Sequence, residues 1–140
     1  MRVLAIDPGT KRVGLAVSDE SGLIAQPLGD EPAEPAATLR DRLAERARAA
    51  GAATVVVGLP TRLDGTQGPE AQAARELAAQ LRATGLKVDL MDERLTSAAA
   101  ERTLLEAGMR RERRKRMAHR VSAALILQSY LDKTRSGRRA

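Results

Sequence analysis

Arg2-Val3-Leu4-Ala5-Ile6-Asp7-Pro8-Gly9-Thr10-Lys11-Arg12-Val13-Gly14 is the stretch that decides the fold. Residues 2–6 form an apolar run of strand type. The run stops at an aspartate, passes through a tight Pro-Gly turn, and resumes as a second apolar run over residues 13–18. An acid at the mouth of a buried strand is rigidly held and poorly hydrated. That state is costly unless a cation or a set of donors meets it. A magnesium or manganese ion with its phosphate ligand is the usual partner of such a group. The plainer alternative is that Asp7 caps the turn with its own side chain.

Outward from this stretch, Asp19-Glu20-Ser21-Gly22 is a turn signal, and residues 23–27 follow as a short third strand. The three strands predict an antiparallel meander, and residues 29–35, rich in Pro, Glu and Asp, read as a linker. Leu39, Leu43 and Ala47 recur every four residues, which predicts a helix over 36–50 stopped by Gly51. Residues 54–59 are a Val-rich strand buried on both faces. A second helix over 69–84 carries Pro near its first turn, a stripe of Ala74, Leu77, Ala78 and Leu81, and Gly85 as its stop. A fifth strand over 86–91 runs into Asp92-Glu93-Arg94. Helices over 97–107 and 117–131 follow, joined by a basic connector. The expected fold is α/β: a five-stranded mixed sheet, three antiparallel strands plus two parallel strands added by βαβ crossovers, flanked by helices.

One domain is expected from 140 residues, with its body over 1–132 and a basic tail over 133–140. A chain of this size buries roughly 68–70% of its unfolded surface, enough for a core without staples. Phe and Trp are absent and Tyr130 is the sole aromatic, so the core is built from Leu, Val, Ile and Ala. The absence of cysteine excludes disulfides, thiolate catalysis and Cys-based zinc sites. No signal peptide and no membrane-length apolar run is visible, so a cytoplasmic protein without a membrane partner is expected. Charge is uneven. Residues 110–140 hold eleven Lys and Arg against two acids, a net +9, which leaves −3 on the first 109 residues of a chain of net +6. A basic end on a nearly neutral body points to a polyanionic partner, nucleic acid first. A solvated charge run is the competing reading.

Open sheets collect chemistry at the carboxyl ends of their strands. Asp7 ends the first strand, Gly58-Leu59-Pro60 the fourth, and Asp92 and Glu93 the fifth. If those three strands are adjacent and parallel, Asp7 and Glu93 come within reach of one divalent cation. Asp92 is a further candidate and Asp64, on the loop after the fourth strand, a weaker one. The connector residues Arg110, Arg111, Arg113, Arg114, Lys115 and Arg116, together with Lys11 and Arg12, are candidate phosphate contacts. With only Tyr130 to stack on a base, readout is expected to rest on backbone and shape.

Residues 6–14, Val57-Gly58-Leu59-Pro60, Asp64-Gly65, Asp92-Glu93-Arg94-Leu95-Thr96 and Ala123-Ala124-Leu125-Ile126-Leu127-Gln128-Ser129-Tyr130-Leu131 resemble the YqgF/RuvX family in order and spacing, from residue 2 to residue 132. The resemblance implies an RNase H-like fold and metal-dependent phosphodiester cleavage, either resolving Holliday junctions or processing pre-16S ribosomal RNA. The family's first acid falls on Asp7 and its glutamate on Glu93. Its third acid, an aspartate on the last helix, falls on His119, the only histidine of the chain. His119 is therefore expected as third metal ligand or proton acceptor. The alternatives are a site that has lost a ligand and an ordinary surface histidine. Imidazole is a softer ligand than carboxylate, so Mn2+ is expected to be preferred over Mg2+. Structured RNA or branched DNA, and with it a ribosomal precursor, is the expected partner of a monomer or homodimer. Two rivals stand: a non-catalytic RNA- or ribosome-binding module on the same fold, and a nucleotide-hydrolysing domain, for which a second lobe is lacking.

Overall fold

Strand β1 (Arg2–Asp7) is buried from Val3 to Asp7 because it is paired on both edges and covered on both faces. Strand β2 (Arg12–Ser18) pairs with it antiparallel, and the edge strand β3 (Ala25–Pro32) pairs antiparallel with β2. On the other side β4 (Ala52–Leu59) and then β5 (Lys87–Asp92) are added parallel. The order is β3-β2-β1-β4-β5, the mixed sheet that the sequence predicts. Helix α1 (Ala36–Ala49) makes the crossover from β3 to β4, and α2 (Pro69–Arg82) the one from β4 to β5. The computed structural model describes residues 1–61, 64–92, 108 and 121–134. The helix expected over 97–107 and the whole basic connector over 109–116 lie outside them. Residues 121–134 are helical and run three residues beyond the expected end.

Side chains of a strand alternate between faces, so β1 feeds two cores. Leu4 and Ile6, with Val55 and Val57, pack against Leu43 and Ala47 of α1 and Ala74 and Leu81 of α2. Val3 and Ala5, with Ala16 and Val56, pack against Ala123, Ile126 and Leu127 of helix 121–134. Alanines at the centre of this second core let helix and sheet approach closely, which suits a chain without Phe or Trp. Gly51 follows α1 at φ 72°, a left-handed conformation that lets the chain turn into β4. Between Arg2 and Val3 the β1–β4 register shifts, and on the other edge of β1 the Val3 N–H donates to Ser18 Oγ of β2 at 2.8 Å. Ser18 is 1% exposed, so its hydroxyl satisfies a buried backbone donor.

The linker expected over 29–35 is largely strand. β3 reaches Pro32, and its polar second half is held by arginines of α1. Arg42 Nη1 lies 2.8 Å and Arg46 Nε 3.2 Å from the Glu31 carboxylate, and Arg46 Nη2 donates to the Asp30 carbonyl at 3.0 Å. The hydrogen bond from Arg42 holds the Glu31 carboxyl below its ordinary range. A strand fixed by tertiary ion pairs carries no apolar alternation, so its sequence looks like a loop.

Helix 121–134 is tied down at both margins of the sheet. Gln128 Oε1 accepts from the Ala25 N–H at 2.9 Å, and its Nε2 donates to the Leu23 carbonyl at 3.0 Å. Tyr130 donates its hydroxyl to Asp89 Oδ2 on β5 at 2.6 Å. Among the described residues no helix is long and apolar enough to cross a membrane.

Two outcomes are expected. Gln128→Ala leaves one backbone donor and one acceptor at the start of β3 without this partner. It should destabilise the fold by about 1–3 kcal/mol, read as a lower urea midpoint at unchanged slope. The Asp19 carboxylate closes the β2–β3 turn, accepting from the N–H groups of Ile24 and Leu23 and from the Ser21 hydroxyl. These bonds, the one from Ile24 foremost, lower its pKa from 3.8 to about 2. A depressed folded pKa gives stability that is present above pH 3.8 and lost as pH falls through about 2. In Asp19→Asn the melting temperature should therefore fall less steeply between these pH values than in the native protein.

Candidate active site

The parallel run of β1, β4 and β5 brings their carboxyl ends to one rim, marked by Asp7, Leu59 and Asp92. Antiparallel β2 starts at this rim with Arg12, and β3 ends there after Asp30 and Glu31. Asp7 is only 3% exposed. Its partner on β2 is Gly14, and the next position of β4 after the Ile6–Val57 pair is Gly58. Both sheet neighbours of the acid thus lack side chains. Val3 and Ala5 face helix 121–134, and alternation turns Asp7 to that same face.

The same rule separates residues that look alike in sequence. Leu90 packs with the α1–α2 core and Met91 with the opposite core, so Asp92 falls on the face away from Asp7. Asp64 Oδ1 accepts from the N–H and hydroxyl of Thr66 at 2.9 and 2.7 Å, which closes its own turn. Arg12 lies at the rim with its Nη2 2.8 Å from Asp30 Oδ1, and Lys11 beside it is exposed. The hydrogen bond that Arg12 donates to Asp30 raises its pKa above the ordinary value, and the guanidinium is charged. Glu93, His119 and the connector residues Arg110, Arg111, Arg113, Arg114, Lys115 and Arg116 lie outside the described residues.

Asp30 is the rim residue that the sequence reading missed. It pairs in register with Gly14, so Asp30, Gly14 and Asp7 form one row across β3, β2 and β1. No local signal marks it, since its place in a strand depends on α1.

A buried carboxylate flanked by glycines has the donor chemistry for a hard divalent cation, which takes oxygen ligands. Among the described residues no three His, Asp or Glu side chains are grouped to hold a metal. A cavity of about 260 Å3 opens at the other end of the sheet, beside Met1, Thr54, Lys87 and Tyr130. None of its described lining residues is an acid, and it is remote from the Asp7 rim.

Comparison with known proteins agrees with this architecture. A family model described as RuvX: Holliday junction resolvase matches residues 1–133. A protein of Geobacillus kaustophilus named "Putative pre-16S rRNA nuclease" is 46% identical over 140 residues, covering 96% of this chain and 100% of its own. One of the same name from Moorella thermoacetica is 44% identical over 134 residues, covering 95% and 96%. Among solved structures, Thermus thermophilus RuvC in complex with a Holliday junction substrate aligns at TM-score 0.59 and 22% identity, covering 98% of this chain and 97% of its own. The fowlpox virus Holliday junction resolvase aligns at TM-score 0.61 and 12% identity, covering 96% and 99%. The fold is thus that of the RuvC-type resolvases, RNase H-like. With its whole body matched by the family model and by relatives of nearly equal length, the chain belongs to the RuvX family of nucleases.

Proposed function

We propose that this chain is a divalent-metal-dependent endonuclease acting on structured nucleic acid, either a pre-16S ribosomal RNA precursor or branched DNA of the Holliday-junction kind. The observation that carries the reading is Asp7, a buried acid at the carboxyl rim of the sheet in a chain of this family. The names of the relatives favour the RNA precursor, and the description of the family model favours the junction.

Asp7 would hold the cation with one carboxylate, Glu93 with a second, and His119 would be third ligand or proton acceptor. When bound, a divalent cation supplies Lewis acidity at the scissile phosphate and a water acidic enough to attack at neutral pH. The protein's own part is to fix donors. Asp7 is nearly buried at the end of a strand paired on both edges, so little rearrangement would accompany loading. A neutral His119 would take a proton from the attacking water. Lys11, Arg12, Arg110, Arg111, Arg113, Arg114, Lys115 and Arg116 would neutralise backbone phosphates, giving salt-dependent, sequence-tolerant binding. Cutting both strands of a symmetric junction needs two copies of the chain, whereas trimming a precursor RNA needs one. Both substrates place the work in the cytoplasm.

One feature favours a second reading, a non-catalytic RNA-binding module: His119 stands where the family carries its third acid. Two measurements decide. Outer partners of metal ligands already contribute 10–100-fold, so Asp7→Asn, which alters a ligand, should lower cleavage of a four-way junction and a structured RNA by at least about 100-fold. Binding of both should stay within a few-fold of native. A native protein that binds but cuts neither substrate is the module instead. Cleavage should also vanish in chelator and return more strongly with Mn2+ than with equal Mg2+, and His119→Asp should shift the preference toward Mg2+. Equal or higher native activity in Mg2+ removes the proposed role of His119 in setting that preference.

A further inference from the structure

We propose that Asp30 is a positioning residue, holding the Arg12 guanidinium at the Asp7 rim so that its remaining donors clamp a backbone phosphate of the nucleic acid. This rests on the nuclease reading for its substrate, but not for its geometry.

Asp7, Gly14 and Asp30 occupy one row of the sheet, with the glycine in the middle. Ala16 lies in the core under helix 121–134, so alternation along β2 brings Gly14 and Arg12 to that face as well. The two partners differ in exposure. The Asp30 side chain is 9% exposed and that of Arg12 51%. The acid is the fixed member and the guanidinium the accessible one. A guanidinium has five donors in a rigid fork suited to phosphate, and the 2.8 Å contact with Asp30 occupies one nitrogen. Holding that fork before substrate arrives removes part of the ordering cost of binding.

Asp30 is itself anchored from the other side of the sheet. Its carbonyl accepts from Arg46 Nη2 at 3.0 Å, and its neighbour Glu31 is gripped by Arg42 and Arg46. Helix α1 thereby fixes the strand, the strand fixes Asp30, and Asp30 fixes Arg12. A second, nearly buried acid beside Asp7 is unfavourable on a surface that meets a polyanion. As a holder of Arg12 it has a use.

The sign of one substitution tests this. Asp30→Asn removes a negative charge from the rim, so charge alone predicts tighter binding of a polyanion. Positioning predicts the reverse. With the full chain, a fluorescent four-way DNA junction and EDTA to prevent cleavage, Asp30→Asn should bind about 3–10-fold more weakly than native, with its melting curve as control for folding. Arg12→Gln should weaken binding at least as much and lower the salt slope by about one. Adding Asp30→Asn to Arg12→Gln should cost nothing more. Affinity that is unchanged or tighter in Asp30→Asn overturns the proposal, as does an equal loss in the Arg12→Gln background. Should Asp30→Asn fail to fold, Arg12→Lys decides, since it keeps the charge and loses the fork. Weaker binding by Arg12→Lys supports the clamp, and native affinity overturns it. A native protein that binds the junction tightly without cutting junction or RNA in Mn2+ defeats the nuclease reading alone, whereas normal cleavage with tight binding by Asp30→Asn defeats the clamp alone.

Discussion

Everything at the rim depends on the parallel pairing of β1 with β4. That pairing gives β1 a neighbour on each edge, and the crossover it requires carries α1 over one face of the sheet. With helix 121–134 on the other face, no residue of β1 beyond Arg2 keeps more than slight contact with water. Asp7 inherits this burial from the strand it ends. A carboxylate placed there by local sequence alone would rotate into solvent. Placed there by a doubly paired strand, it stays where a cation can replace the water it has lost. The valines of β4 serve the same end, because a strand in the middle of a sheet covered on both sides has no polar face to spare.

Glycine and arginine divide the remaining work. Gly14 and Gly58 keep the sheet positions beside Asp7 clear of side chains, so the space around the acid is set by the elements packed above the sheet. The arginines of α1 act at the opposite edge. β3 is an edge strand, and edges are natural sites of unwanted pairing. Its Pro27 and Pro32 and its charged pair Asp30 and Glu31 suit that exposed place, and the grip of Arg42 and Arg46 on Glu31 keeps the strand joined to the fold. Each of these ion pairs is partly open to water and contributes modestly by itself. Their joint effect is to fix the register of β3, and with it which of its acids faces the rim.

The legible parts of the chain were those in which local pattern and tertiary environment agree. β1, β2 and β4 are unbroken apolar runs because they are buried, and both crossover helices carry a stripe and a glycine stop at the expected places. β3 extends beyond the stretch its local sequence predicts because what holds it, arginines 11 to 15 residues further along, is invisible to a local window. Ser18 and Gln128 escaped for a related reason: each is bonded to backbone groups whose need for a partner appears only once the strands are in register. For the site, Asp7 was evident from its strand and turn. Asp92 is a further candidate in the sequence, but a strand sends successive side chains to opposite faces, and Asp92 takes the face away from Asp7. Asp30 could be found only from the row it shares with Gly14.

The distribution of charge gives these pieces an order in space. The first 109 residues are net negative, and two acids of one row, Asp7 and Asp30, lie at the rim. Such a surface by itself repels nucleic acid. The compensating positive charge lies in the segment beyond residue 109, whose net charge is +9. Exposed charges are largely screened beyond a Debye length of about 8 Å at physiological salt, so a charged group acts mainly on what lies against it. Orientation needs groups held in place by the sheet. Arg12, fixed by a nearly buried acid, is suited to that short-range task. The rim thus sets two acids of one row beside a positive charge that the sheet itself holds in place.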